Sequence, residues 1–326
     1  MTFSDPLAAV ARASLDRWVL PDEATATLIN VSENATYRID DARSGGRWAL
    51  RIHRPGYHSP TAIQSELAWA KAVRDAGLAI TPTAIPGRDG GLLQAVAHPS
   101  VPRPRVAVLF AWEDGIEPAE NDVSTFGQLG EIAARMHEHV QTWQRPVWFD
   151  RHVWDFETSL GNTPHWGRWQ AGMGMTPEIE ALFAGTVALI EVRLKRFGMG
   201  PERFGLVHGD MRLANLLVDA GKVKVIDFDD CGFSWFLYDC AVTVSFFEHK
   251  PEVPALLAAW VDGYRRVRTL SAADEAEIPT FVMLRRLLLV AWTGSHSETD
   301  LARSMGIEYT ADTVRLCETY LESMSV

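Results

Sequence analysis

The stretch Leu206 to Asp230, LVHGDMRLANLLVDAGKVKVIDFDD, sets carboxylates and a carboxamide at fixed spacings around a predicted hairpin. Asp210 follows His208-Gly209 and precedes Asn215 by five positions. Two short apolar runs come next, Leu216-Leu217-Val218 and Val223-Lys224-Val225-Ile226. The turn signal Asp219-Ala220-Gly221 joins them, so they read as two antiparallel strands. Asp227 stands at the end of the second strand, 12 residues after Asn215, with Phe228 and Asp229 behind it. A hairpin returns the chain on itself, which brings Asp210, Asn215 and Asp227 towards one place. Asp and Asn are common at turns for local hydrogen-bonding reasons, yet here spacing and strand context agree.

The rest of the chain bounds what such a cluster can serve. Its 326 residues suggest about two domains. Hydrophobic residues at 47% and charged residues at 22% describe a globular protein and argue against a disordered or collagen-like one. No apolar run reaches the roughly 18 residues needed to span a bilayer. Asp239 interrupts one candidate, and Arg285 and Arg286 interrupt another. The start, MTFSDPLAAVARASLDRW, carries Asp5 where a signal peptide has basic residues, so none is expected. Cys231, Cys240 and Cys317 form no CxxC pair and suit a reducing cytoplasm. Net charge is 31 − 42 = −11. Residues 1–100 hold 10 basic and 10 acidic side chains, leaving 21 and 32 for the remainder, which therefore carries all of it. Nucleic acid needs a basic surface and is not an expected partner. An acidic second half suits a cationic substrate, and it serves solubility equally.

Periodicity divides the chain by texture. A short helix over 5–18, strands over 26–31, 35–40 and 48–53, a helix over 61–76 and a buried strand over 106–112 make a sheet-rich first part. After Gly115, helices are expected over 122–142, 177–197, 253–268, 275–292 and 310–323. The expected architecture is α+β and bilobal. A small antiparallel-sheet lobe spans 1–112, a hinge lies near 110–115, and a larger, mainly helical lobe spans 113–326.

The spacing H-x-D-x-x-x-x-N with a following Asp-Phe matches the catalytic loop and the metal-binding segment of protein kinases. The set as a whole resembles the aminoglycoside phosphotransferase / choline kinase-like superfamily, which has the protein-kinase-like fold, over roughly residues 25–300. The resemblance implies transfer of the γ-phosphate of ATP to a hydroxyl, with Asp210 as catalytic base and Asn215 and Asp227 as Mg²⁺ ligands. The residue types suit that chemistry. Mg²⁺ takes oxygen ligands in a strict octahedron, and a further carboxylate must stay off the metal to accept the hydroxyl proton. The resemblance also assigns Arg51 to the ATP phosphates and Glu66 to pairing with Arg51. It makes Ser32 to Tyr37, with Ser32 and Asn34, the loop over the phosphates, and Phe110 to Trp112 the hinge facing adenine. Asp239 becomes a structural aspartate behind the catalytic loop.

Departures from the kinase pattern are specific. The phosphate loop lacks G-x-G-x-x-G, and Arg51 stands in place of Lys, so a planar fork replaces a point charge. Asp229 stands in place of Gly and offers a further metal ligand. Arg212, two residues after Asp210, is placed to neutralise charge on the transferring phosphoryl group. Within the superfamily the chain resembles the hydroxyl-kinase branch of homoserine kinase type II, hydroxylysine kinase and the bacterial stress-response Ser/Thr kinase. A small hydroxyl-bearing metabolite is the expected acceptor. A protein Ser/Thr and a nucleotide-binding regulator without turnover are the alternatives. Residues 225–229 also resemble the D-x-D of haloacid-dehalogenase-like phosphatases, but that motif opens its domain and leaves the HGD loop unexplained.

Other features read more plainly. His137 and His139 are two apart, wrong for two zinc ligands on one helix face. Trp143, Trp148, Trp154, Trp166 and Trp169, with His152 and His165, read as a lid packed on the core, with an aromatic pocket for a cation as the alternative. Arg285-Arg286 reads as helix packing or pairing with local acids. No motif fixes the oligomeric state.

Overall fold

The structure, a computed structural model, describes residues 7–31 and 34–324. The chain divides into two compact units. Met1–Ala76, Ile80–Asp114 and Arg145–Asp150 form the first; Gly77–Ala79, Gly115–Gln144 and Arg151–Val326 form the second.

The first unit contains α1 (Ala8–Ser14), β1 (Thr25–Val31), β2 (Ala35–Asp40), β3 (Arg47–Ile52), α2 (Pro60–Asp75), β4 (Ala84–Ile85), β5 (Gln94–Val96) and β6 (Arg105–Ala111). The strands form one antiparallel sheet in the order β1-β2-β3-β6-β4, and β5 also pairs with β6. Side chains alternate along a strand. Leu50 and Ile52 of β3 therefore share a face, buried with Tyr37, Ile39, Leu109 and with Val10 and Trp18. Arg51 turns to the other face with Val108, its partner across β6, where Ile63 and Leu67 of α2 pack. Ser59 starts α2 by accepting the Ala62 N–H on its hydroxyl at 3.0 Å, with Pro60 in the first turn. The periodicity that buries Ile63, Leu67 and Ala70 also buries Glu66.

The second unit contains α3 (Val123–Thr142), α4 (Phe156–Ser159), α5 (Pro177–Phe197), β7 (Phe204–Val207), β8 (Leu216–Asp219), β9 (Lys222–Val225), β10 (Gly232–Trp235), α6 (Phe236–Val242), α7 (Val253–Arg265), α8 (Ala272–Glu275), α9 (Ile278–Ser295) and α10 (Asp300–Met324). β8 and β9 are the expected hairpin. Its turn residues Ala220 and Gly221 have φ of 47° and 76°, as a two-residue hairpin turn requires. β7 pairs with β10, so one ladder leads the chain into residues 208–210 and takes it away after 227–231. α3 and α7 meet backbone to backbone: a Cβ on Gly130 would lie 1.9 Å from the Trp260 carbonyl oxygen, and one on Gly263 1.9 Å from that of Gly127. Only glycine permits this approach. α10 bends at Gly306, whose φ is 54° and ψ −150°. Among the described residues no helix is long and apolar enough to cross a membrane.

Candidate active site

Asp239 of α6 is wholly buried and anchors the loop that follows β7. Its Oδ1 accepts the Gly209 N–H at 2.8 Å, and its Oδ2 accepts the His208 N–H at 3.1 Å. The same Oδ2 lies 3.0 Å from His137 Nε2 of α3, whose Nδ1 faces the Tyr264 hydroxyl of α7 at 3.1 Å. Arg268 donates to that hydroxyl at 2.8 Å. Burial alone would raise the Asp239 carboxyl, but its hydrogen bonds with His137 and the Gly209 N–H hold it below its usual value. Burial pushes both His137 and His208 down, so both imidazoles are neutral. His208 is spent on the loop: Nδ1 accepts the Asp210 N–H at 3.3 Å, and Nε2 donates to the Ile226 carbonyl at 3.2 Å. Gly209 has φ of 78°, and a Cβ there would meet the Asp230 carbonyl oxygen at 2.7 Å, so the loop is pressed against residues 227–230.

Asp210 gathers three donors. Asn215 Nδ2 lies 2.7 Å from Oδ2 and 2.9 Å from the Asp210 carbonyl oxygen. Arg212 Nε lies 3.2 Å from Oδ2. Arg285 of α9 brings a terminal nitrogen 2.6 Å from Oδ1. Burial would raise the Asp210 carboxyl, but the charges of Arg212 and Arg285 outweigh it and hold the group anionic, below the usual carboxylate range.

The Asp227–Asp230 segment lies against this loop. Ile226 N donates to the Asn215 carbonyl at 3.0 Å, which fixes the strand end beside the loop. Asp227 is exposed and has a left-handed φ of 59°, an uncommon conformation for a non-glycine residue. Asp229 is buried, and Arg151 donates to its carbonyl and, at 2.6 Å, to that of Cys231. Trp154 Nε1 donates to the Asp230 carbonyl at 2.9 Å. Asn215, Asp227, Asp229 and Asp230 all offer oxygen, the ligand atom a hard divalent cation takes. Asn215 fits such a role, because its amide nitrogen is committed to Asp210 and its carboxamide oxygen points away from that residue.

In the first unit Arg51 and Glu66 form a buried pair at 2.5 Å, with side chains 5% and 2% exposed. The Arg51 guanidinium also lies 5.2 Å from the Phe110 ring centroid. The buried Asn34 accepts the Arg54 N–H at 3.0 Å, and half-buried Trp112 donates to Asp114 at 3.1 Å. Ser32 lies outside the described residues.

Thus Asp210, Arg212 and Asn215 are in mutual contact, with Asp227 and Asp229 on the adjoining segment. In the first unit Arg51 meets both Glu66 and Phe110. Of the tryptophans, Trp154, Trp166 and Trp169 are buried in the second unit's core, while Trp148 is 41% exposed. Sequence reasoning read Arg285-Arg286 as helix packing or pairing with local acids, and each does pair with an acid, Arg285 with Asp210 and Arg286 with Glu248, but it did not single out Arg285 as a neighbour of Asp210. Its signal was a charged pair inside an otherwise apolar helix, which burial permits only beside an anion.

The chain matches the model of the phosphotransferase enzyme family over residues 25–275. A solved structure of the microcompartment-associated aminopropanol kinase is 44% identical, with a TM-score of 0.89 over 97% of this chain and 98% of that one. Amicoumacin kinase hAmiN, in complex with AMP-PNP, Ca²⁺ and Ami, is 21% identical with a TM-score of 0.76, over 98% of this chain and 94% of that one. Homoserine kinase of Gluconobacter oxydans (strain 621H) is 24% identical over 240 residues, 70% of this chain and 71% of its own length.

Proposed function

Because the chain belongs to the phosphotransferase enzyme family, we propose that it transfers the γ-phosphate of ATP to the hydroxyl of a small cationic amino alcohol in the cytoplasm, with Mg²⁺ as the metal. It is a kinase with the protein-kinase-like fold, and its acceptor is an alcohol group of a small metabolite. The observation that carries the acceptor class is the 44% identity, along nearly the full length, with an aminopropanol kinase. An amino alcohol is an ammonium ion at neutral pH, and the acidic balance of residues 101–326 favours its approach.

The roles follow from the site. Asp210 is the base: held anionic, it orients the acceptor hydroxyl and accepts its proton. Asn215, Asp227 and Asp229 would hold the metal through oxygen. When bound, the cation supplies charge neutralisation across the phosphates. Arg51, fixed by Glu66 on a stiff sheet, would hold phosphate oxygens. Asn34 would lie in the loop over the phosphates, and Phe110 and Trp112 would border the adenine. Arg212 is partly exposed and holds Asp210 through Nε at 3.2 Å, so its terminal nitrogens can meet the transferring phosphoryl group as charge develops there while Nε stays in place. Such a site works by positioning and electrostatics.

The test is phosphate transfer from labelled ATP to aminopropanol, homoserine and an amine-free propanediol. Transfer to the amino alcohols about 5-fold to 30-fold faster than to the diol is expected, since an ammonium contact is worth about 1–2 kcal/mol. No transfer to any acceptor would refute the reading. Titration of ATP with Mg²⁺ should show metal-dependent binding that Asp227→Ala weakens; equal binding by that variant would remove Asp227 from the metal site.

A further inference from the structure

Residues 276–326 lie beyond the stretch matched by the family, yet they supply one of the three side chains on the catalytic carboxylate. Arg285 is 2% exposed and reaches Asp210 from the middle of α9. Its guanidinium is fixed on every side. Nε donates to Ser245 Oγ at 3.1 Å, one terminal nitrogen donates to the Tyr238 hydroxyl at 3.2 Å, and the other donates to Asp210 Oδ1 at 2.6 Å. The Trp166 ring centroid lies 5.2 Å from its carbon. The next residue, Arg286, turns to a different side of the helix. It bonds Glu248, Thr313 and the Tyr309 carbonyl and has no part in the loop.

A carboxylate offers about four lone-pair positions. On Asp210, Asn215 and Arg212 fill the two on Oδ2, and Arg285 fills one on Oδ1. One position remains, on Oδ1 beside Arg285. Without Arg285 the carboxylate is held through Oδ2 alone, by Asn215 and Arg212, and its plane can tilt about the Cβ–Cγ bond. We propose that Arg285 is a positioning residue for phosphoryl transfer: by fixing Oδ1 it leaves Asp210 a single lone pair, in a single direction, for the acceptor hydroxyl. The inference rests on the reading of Asp210 as the base. The fork matters as much as the charge, because one planar group must satisfy Ser245, Tyr238 and Asp210 together and lie on an aromatic ring. A lysine at this position has neither the plane nor the reach of the fork.

The test compares steady-state turnover of Arg285→Lys, Arg285→Ala and Asp210→Ala at saturating ATP and acceptor, with thermal unfolding of each. Misplacing a reacting group by about 1 Å costs on the order of 100-fold. Arg285→Lys should lose about 10-fold to 100-fold in kcat while KM for ATP stays within about twofold and the melting temperature stays close to that of the parent. Arg285→Ala should lose more, and guanidinium ion at non-denaturing concentration should restore about tenfold or better, since it can re-enter the vacated pocket. Should Arg285→Ala fail to fold, the lysine variant decides alone. Arg285→Lys with kcat within about twofold of the parent would overturn the proposal. A loss in Arg285→Ala that tracks KM for ATP and melting temperature and ignores guanidinium would overturn it too. An active Asp210→Ala would instead remove the base itself. An inactive Asp210→Ala beside a fully active Arg285→Lys would sink the positioning role alone.

Discussion

Replacing Asp239 by Asn changes one buried atom and should disable the loop that carries Asp210. In the parent, Oδ1 serves Gly209 N–H, and Oδ2 serves both His208 N–H and His137. An asparagine must put its NH₂ on one side or the other. Facing Gly209, it opposes a backbone donor with a donor. Facing His208, it does the same there, although His137 can adapt by changing tautomer. One buried backbone N–H therefore loses its acceptor in either orientation, at about 1–3 kcal/mol. The bonds that remain become neutral rather than charge-assisted, losing about 1 kcal/mol each. The sum is about 3–5 kcal/mol, a large share of the 5–15 kcal/mol typical of folded domains. The loop that carries Asp210 would also shift, with about a 100-fold fall in kcat. Denaturant unfolding and steady-state kinetics of Asp239→Asn check both numbers. A variant within about 0.5 kcal/mol of the parent, with normal turnover, would refute the account of Asp239 as the loop's anchor.

Glu66→Gln keeps the volume but removes the carboxylate that faces the buried Arg51 guanidinium. It should destabilise the protein by about 3 kcal/mol in denaturant unfolding and raise KM for ATP. Stability should also fall as pH drops below 6.5, the usual histidine value. The unfolded chain takes up protons there that buried, neutral His137 and His208 do not, so the unfolded state gains. Their joint effect approaches about 2.7 kcal/mol per pH unit at its steepest. His137→Gln should flatten the melting temperature measured from pH 7 to about 5.

Legibility in the sequence followed the physics of each element. The hairpin at 216–225 and the long amphipathic helices α3 and α5 announce themselves, because one face is apolar and the ends carry turn or capping residues. α6 does not, since all seven of its residues are buried and no polar face remains to mark the period. β7 and β10 are four residues each and include Gly205, Gly232 and Ser234, so neither alternates clearly. They are defined by each other, across 25 or more residues of chain. The spacing of Asp210, Asn215 and Asp227 was readable because all three sit within one short stretch. Arg285 was not, because its meaning lies in a partner 75 residues away. The Arg51–Glu66 pairing was legible through the resemblance, while its depth came from the register of β3 on β6.

The contact of α3 with α7 through Gly127, Gly130 and Gly263 bears on how such an enzyme changes substrate. Where Gly130 and Gly263 let the helices touch backbone to backbone, there are no side chains to trade for larger or smaller ones. One helix carries His137 and the other Tyr264, so this close approach also sets the distance between the side chains behind the loop that carries Asp210. Mutational drift, or a laboratory library, finds no small steps there: a carbon added at Gly130 or Gly263 forces the helices apart and moves the loop with them. New acceptor specificities must then arise elsewhere, on the segments whose contacts are made by exchangeable side chains, while this seam passes unaltered from one activity to the next.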